Sequence, residues 1–202
     1  MTELTAMKSA IGLLHLPSSV RHVRCEPLPP GIDQLLRIAS GDEQVAREMA
    51  EQTERPLSVI QDAAIFYIEQ IMLSPDSDCY RVLGASPTTS APDLRRNMAL
   101  LISWLHPDKN LSGERAVFAA RVTEAWDTLR NPDRKAVYDA TLLAAHDAAP
   151  GRSSLRGERM SSRVSVVPLL HGARHRPAHW RSVDHNTIFR RVWAFLQSKA
   201  RH

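Results

Sequence analysis

From residue 32 onward the apolar residues fall at helical intervals. Ile32 to Ala39 is a short helical pattern with Leu35 and Leu36 inward, and Gly41 closes it. Asp42 is placed to cap the next helix, which carries Val45, Ala46, Met49 and Ala50 on one face. Pro56 suits the first turn of a third helix, with Leu57, Ile60, Ala64, Tyr67 or Ile68, and Ile71 inward, and Pro75 ends it. Before these, residues 1–30 read as a loosely structured leader, closed by Pro27, Pro29 and Pro30.

The pattern sharpens between residues 78 and 139. Asp78 to Leu83 form a short helix that Gly84 can stop in the left-handed conformation. Ser90 and Asp93 make a capping box. Leu94, Met98, Leu101 and Leu105 then form one stripe, and Phe118, Val122, Ala125 and Leu129 another. Two stripes with a short connection predict an antiparallel helical hairpin. Asn131-Pro132-Asp133 starts a further helix, whose Val137 and Tyr138 are expected to fold back onto the hairpin.

Composition narrows the class. The chain has 202 residues, 43% hydrophobic, 24% charged and 5% aromatic, with two cysteines. A disulfide scaffold needs more cysteines. A membrane span needs an apolar run of about 18 residues or more, which is absent. A β-sandwich wants more aromatic and β-branched residues than this chain offers. Cys25 and Cys79 form no C-x-x-C pair and read as ordinary thiols of a reducing compartment. Lys8 and the apolar stretch from Ala10 to Leu16, interrupted by His15, lack the cleavage site of a signal peptide. The expectation is an all-α, cytoplasmic protein.

Net charge is +4, unevenly spread. Residues 1–75 hold 6 basic and 10 acidic side chains, residues 76–145 hold 9 of each, and residues 146–202 hold 11 and 3. Three consecutive helices before residue 75 suggest a DNA-reading motif. The third carries no Lys or Arg and contains Asp62 and Glu69, so it lacks the cations that phosphates require. No nucleic acid is expected as a partner.

The candidate chemistry sits in the hairpin connection, His106-Pro107-Asp108. Pro107 has no N–H and disfavours helical backbone at His106, so the first long helix must end there. An imidazole and a carboxylate are then held at the tip of a rigid hairpin. No nucleophile, metal partner or glycine-rich phosphate cradle accompanies them, so they read as a recognition element. The bare tripeptide is weak evidence, arising by chance in on the order of one chain in a hundred of this size. Its surroundings make it specific. Tyr80-Arg-Val-Leu-Gly84, Leu94-Arg-Arg96, His106-Pro-Asp-Lys-Asn110, Phe118, Glu124-Ala-Trp126, Leu129, Asn131-Pro132 and Tyr138-Asp139 together resemble the J-domain of DnaJ-type co-chaperones.

That resemblance implies a role. J-domains bind the ATP-bound form of DnaK-type chaperones and stimulate ATP hydrolysis, so that a client polypeptide is trapped. The His-Pro-Asp loop is indispensable there, and its Asp engages an arginine of the partner. Carried onto this chain, the partner-binding residues are His106, Pro107, Asp108, Lys109, Arg95 and Arg96, with no cofactor, no metal and no catalytic residue. The match departs from the family at Leu105, where an aromatic residue is common, at Trp126 for Tyr, at Lys135 for Arg, and above all along the second helix. Ala99, Leu100 and Trp104 stand where the second helix often carries Lys or Arg, so electrostatic steering toward the partner is weakened. Leu100 and Trp104 either form an exposed apolar patch or pack against the preceding helices, the second being favoured. No Cys-x-x-Cys-x-Gly-x-Gly repeat and no Gly/Phe-rich linker is present, the chain holding only 8 Gly and 4 Phe. The likeness is to the minimal class, a J-domain on an unrelated body.

Beyond the J-domain, residues 146–183 are rich in Arg, His, Ser, Gly and Pro and read as a flexible basic linker. His171, His175 and His179 share a spacing of four, but Gly172 and Pro177 break the helix that would align them on a metal. Residues 184–202 form a basic amphipathic helix in which Phe189, Trp193 and Phe195 are apolar and Arg190 and Arg191 basic. An anionic membrane surface, a partner groove and the protein's own helices are all open to it.

The expected order is therefore leader (1–30), small helical unit (31–75), four-helix J-domain (76–145), linker (146–183) and amphipathic helix (184–202). The expected function is a co-chaperone that stimulates a DnaK-type ATPase, with residues 31–75 a possible client contact and residues 184–201 a possible membrane contact. The alternative is an interaction or scaffold protein that keeps the J-domain fold without productive ATPase stimulation.

Overall fold

A computed structural model describes residues 4–106 and 113–147, and every regular element within them is helical. The first 30 residues depart from expectation. Leu4–His15 is a helix, α1, whose Ala6, Met7, Ala10 and Leu13 are buried. It is followed by a 3-10 turn at Pro17–Ser19 and a short helix, α2 (Val20–Val23). The loosely structured leader is thus replaced by core structure. Its inward face is half alanine, a weak apolar signal, and becomes visible only against the helix that covers it. The amide of Ala6, one of the orphan donors of a helix start, donates to Pro30 O at 3.2 Å. Arg24 Nε donates to Gln70 O at 2.8 Å.

Three helices follow as the spacing predicts: α3 (Ile32–Ser40), α4 (Glu43–Thr53) and α5 (Leu57–Tyr67). Asp42 caps α4, its carboxylate accepting from Val45 N at 3.2 Å while Arg37 pairs with it at 2.8 Å. The hydrogen bonds from Val45 and Arg37 hold the Asp42 carboxyl below the usual range. α1 packs along α5, where Ile60, Ala63, Ala64 and Tyr67 are all fully buried. α5 then widens into a π-helical turn at Ile68–Met72, with Leu73 N donating to Ile68 O at 2.9 Å. This turn places the consecutive residues Ile71, Met72 and Leu73 all in the core. A continuous α-helix would turn one of them outward.

The second half is built on α6 (Cys79–Val82), α7 (Ala91–Trp104), α8 (Gly113–Leu129) and α9 (Pro132–Asp147). Asp78 caps α6, accepting from Tyr80 N and Arg81 N at 2.8 and 2.9 Å. Ser90 caps α7, accepting from Asp93 N at 3.3 Å and donating to the Asp93 carboxylate at 2.6 Å. Asn131 caps α9, accepting from Asp133 N at 2.9 Å. α7 packs on α8, α6 on α8 and α9 on α8. The expected inward pair on α9 is corrected at one position. Tyr138 turns in, but Val137 is 66% exposed. Adjacent residues on a helix are about 100° apart, and the anchored Tyr138 phenol takes the inward direction.

The units expected over 31–75 and 76–145 share one hydrophobic core that runs from Ala6 to Leu129. Its seam is α3 against α7, and the closest approach is at Gly84. Gly84 has φ +61°, and a Cβ there would lie 2.7 Å from Ile32 Cγ2 and 3.0 Å from Met72 Cε. The linker beyond Asp147 and the helix expected over 184–202, with Phe189, Arg190, Arg191, Trp193 and Phe195, lie outside the described residues, as do His171, His175 and His179.

Two stability predictions follow from this seam and from α1. Gly84→Ala combines a left-handed backbone penalty with overpacking and is expected to cost about 2–4 kcal/mol. Met7→Ala removes a fully buried side chain and is expected to cost about 2–4 kcal/mol, whereas a residue in a loose leader would cost almost nothing. Urea unfolding monitored by circular dichroism measures both.

Candidate partner-docking site

Local chemistry sets the geometry of the hairpin. α7 ends at Trp104, with Leu105 N closing the last turn onto Leu101 O at 2.9 Å. His106 follows, half-buried, at the point where Pro107 forbids further helix. Pro107, Asp108 and Lys109 lie outside the described residues. α8 begins at Gly113. α7 and α8, on either side of residues 107–112, pack on one another, as the two apolar stripes require.

Arg95 and Arg96 lie in the first half of α7. Arg96 is exposed and pairs with Asp93 at 3.0 Å, and Arg95 is half-buried. Eight helical steps, about 12 Å along the axis, carry the chain from Arg96 to Trp104 at the end of α7, and His106 lies two residues further on. Among the described residues, Arg95 and Arg96 lie on α7 and His106 lies just beyond its end. An open groove of about 530 Å³ exists elsewhere, between the Pro27–Pro30 segment and α6 and α7. Its lining includes Arg96 and Asn97 but not His106.

Trp104 is not part of an exposed patch. It is 4% exposed, and Leu100 is half-buried against the core. The Arg115 guanidinium, in the first turn of α8, sits 4.8 Å from the centroid of the Trp104 ring. Arg115 in turn faces Glu69 of the π-helical turn at 3.8 Å.

Polar anchors hold the remaining helices to the hairpin. Asn97, buried on α7, donates through Nδ2 to Leu83 O at 3.0 Å and to Gly84 O at 3.2 Å. Tyr138 Oη accepts from Cys79 N at 2.8 Å, and its ring meets that of Tyr80 at 6.1 Å between centroids. Tyr80 Oη donates to Asp139 Oδ1 at 2.5 Å, and Lys135 donates to Asp139 Oδ2 at 2.7 Å. Burial pushes the Tyr138 phenol and the Cys79 thiol upward. The Asp139 partner pushes Lys135 up to about 12, and Lys135 and Tyr80 together hold the Asp139 carboxyl below the usual range.

One anchor escaped the sequence reading. Arg121 donates to Leu73 O through Nη1 and to Ser74 O through Nη2. It thereby satisfies the two carbonyls that follow the π-helical turn, and burial lowers its pKa. A signal was present: Arg121 lies three residues after Phe118 and immediately before Val122, beside the apolar stripe.

Among the described residues no group of three or more His, Cys, Asp or Glu is arranged to hold a metal. No helix among them is long and apolar enough to cross a membrane.

The architecture is that of a helical hairpin braced by a short preceding helix and a following one, with a His-Pro-Asp sequence at its connection. The model of the DnaJ domain matches residues 78–139, and this part of the chain is a DnaJ domain. The chain is 38% identical over 81 residues to the chaperone protein DnaJ of Cereibacter sphaeroides, covering 40% of this chain and 21% of that one. It is 36% identical over 75 residues to the chaperone protein DnaJ of a Ruegeria species, covering 37% and 20%. It is 34% identical over 79 residues to the DnaJ-like protein MG200 of Mycoplasma genitalium, covering 39% and 13%. The match thus spans about a fifth of the length of the first of these relatives. No solved structure matches the chain.

The Asp139 network makes a pH prediction. Because its folded pKa lies below the unfolded value of about 3.9, its contribution is present above that value and lost as pH falls through the folded one. Asp139→Asn should therefore lower Tm at neutral pH, with the gap from wild type closing below about pH 4. Thermal melts across pH 2.5 to 7, in about half-unit steps, would show the convergence.

Proposed function

We propose that the chain is a J-domain co-chaperone that binds a DnaK-type ATPase through His106, Pro107 and Asp108 and stimulates its ATP hydrolysis. The supporting observation is the position of this tripeptide, beginning where α7 ends, within a region that is a DnaJ domain. Asp108 accepts from an arginine of the partner, a charge-assisted bond that is short and directional. His106 and Pro107 shape the loop, and Arg95, Arg96 and Lys109 assist docking. The chain contributes no catalytic residue. It binds one state of the partner in preference to the other, and the bond-breaking chemistry is the partner's.

The resemblance to the minimal class supports a recruiting role in the cytoplasm. Residues 31–75 offer a client contact, and residues 184–201 a contact with an anionic membrane surface. A specific observation favours the scaffold reading as the second choice. Trp104 is buried where a basic residue is common, and the exposed Arg96 is already paired with Asp93. Both features reduce the positive potential of α7.

Single-turnover ATP hydrolysis by a DnaK-type chaperone separates the two. Wild type is expected to accelerate it. Asp108→Asn loses the charged acceptor and should raise the half-maximal concentration about tenfold or more. A folded wild-type chain that leaves the rate unchanged would favour the scaffold.

A further inference from the structure

We infer that Glu69, outside the DnaJ match, is a positioning residue for the end of α7 and the start of α8, the two stems that flank the connection beginning at His106. Trp104 is the last residue of α7, and Arg115 lies in the first turn of α8. In sequence, the connection that begins at His106 joins them. The Arg115 guanidinium over the Trp104 ring, 4.8 Å from its centroid, ties the two stems of that connection together. A cation that could swing away would hold nothing. Glu69 limits that freedom, its carboxylate facing Arg115 at 3.8 Å with the two side chains 28% and 18% exposed. Partial burial reduces the screening of this pair by salt.

The backbone beneath Glu69 is itself fixed. It lies in the π-helical turn Ile68–Met72, whose Ile68, Ile71 and Met72 are fully buried. Arg121, further along α8, grips the carbonyls of Leu73 and Ser74 just beyond that turn. α8 is therefore held against the segment 69–74 at two points, each by an arginine. The DnaJ match begins only at residue 78, so both points lie on chain that the matched domain does not contain. The N-terminal helices reach the two helix ends through this pair.

The effect is local. A single partly exposed pair at 3.8 Å contributes little to global stability, so its loss should leave Tm within about 3 °C of wild type. Amide hydrogen exchange on the full chain reads the local effect. In Glu69→Gln, amides 103–105 and 117–119 should exchange about three to ten times faster, with those of α3 and α4 unchanged. Glu69→Asp, which keeps the charge, should recover part of the protection. Unchanged exchange at those amides would overturn the inference, as would an equal increase throughout the core. The functional consequence rests on the proposed docking role of His106 to Asp108. If wild type stimulates a DnaK-type ATPase, Glu69→Gln should raise the half-maximal concentration about threefold and leave the plateau rate unchanged. If wild type does not stimulate it, the docking role falls, while a localised exchange change still upholds the positioning of the loop stem.

Discussion

The close approach at Gly84 governs this architecture. With no Cβ and a left-handed backbone, Gly84 lets the turn after α6 press directly on Ile32 of α3 and Met72 of the π-helical turn. Any side chain there would hold the two halves of the molecule apart and open a gap along the α3–α7 seam. Closing that seam turns two helical units into one core. Leu36, Met72, Leu83, Met98 and Leu101 are all nearly solvent-free within it. The DnaJ domain in this chain is consequently built on a foundation that includes α1 to α5.

Around the apolar seam the helices are registered by directional polar contacts. Asn97 reads the end of α6, Tyr138 the start of α6, and Arg121 the two residues that follow the π-helical turn. Each satisfies a backbone group at or just beyond a helix terminus, so each is costly to lose and specifies one arrangement. Hydrophobic burial is non-directional and would tolerate small slips of α7 or α8. These contacts would not.

The functional consequence is a division of labour along α7. Its inner face is committed to the core, through Leu94, Asn97, Met98, Leu101, Ile102 and Trp104. Its exposed cation, Arg96, is paired within its own helix. The proposed docking role accordingly rests on the far end, around His106, more than on a long basic stripe. A domain that depends on a short loop benefits from a rigid stem, and the Trp104–Arg115–Glu69 cluster provides one.

Much of this was legible along the chain. The helices from Ile32 onward, the caps at Asp42, Ser90 and Asn131, the left-handed Gly84 and the hairpin with His106 at its connection all follow from rules that act over a few residues. The burial of α1, the outward Val137 and the Arg121 grip on Leu73 and Ser74 did not. Each depends on a surface supplied by residues far away in sequence. Periodicity defines which positions share a face, and proline and capping residues define where a helix stops. Which face is covered, and by what, was decided only when α1 met α5 and α3 met α7, because burial is a property of the pair of surfaces and not of either one.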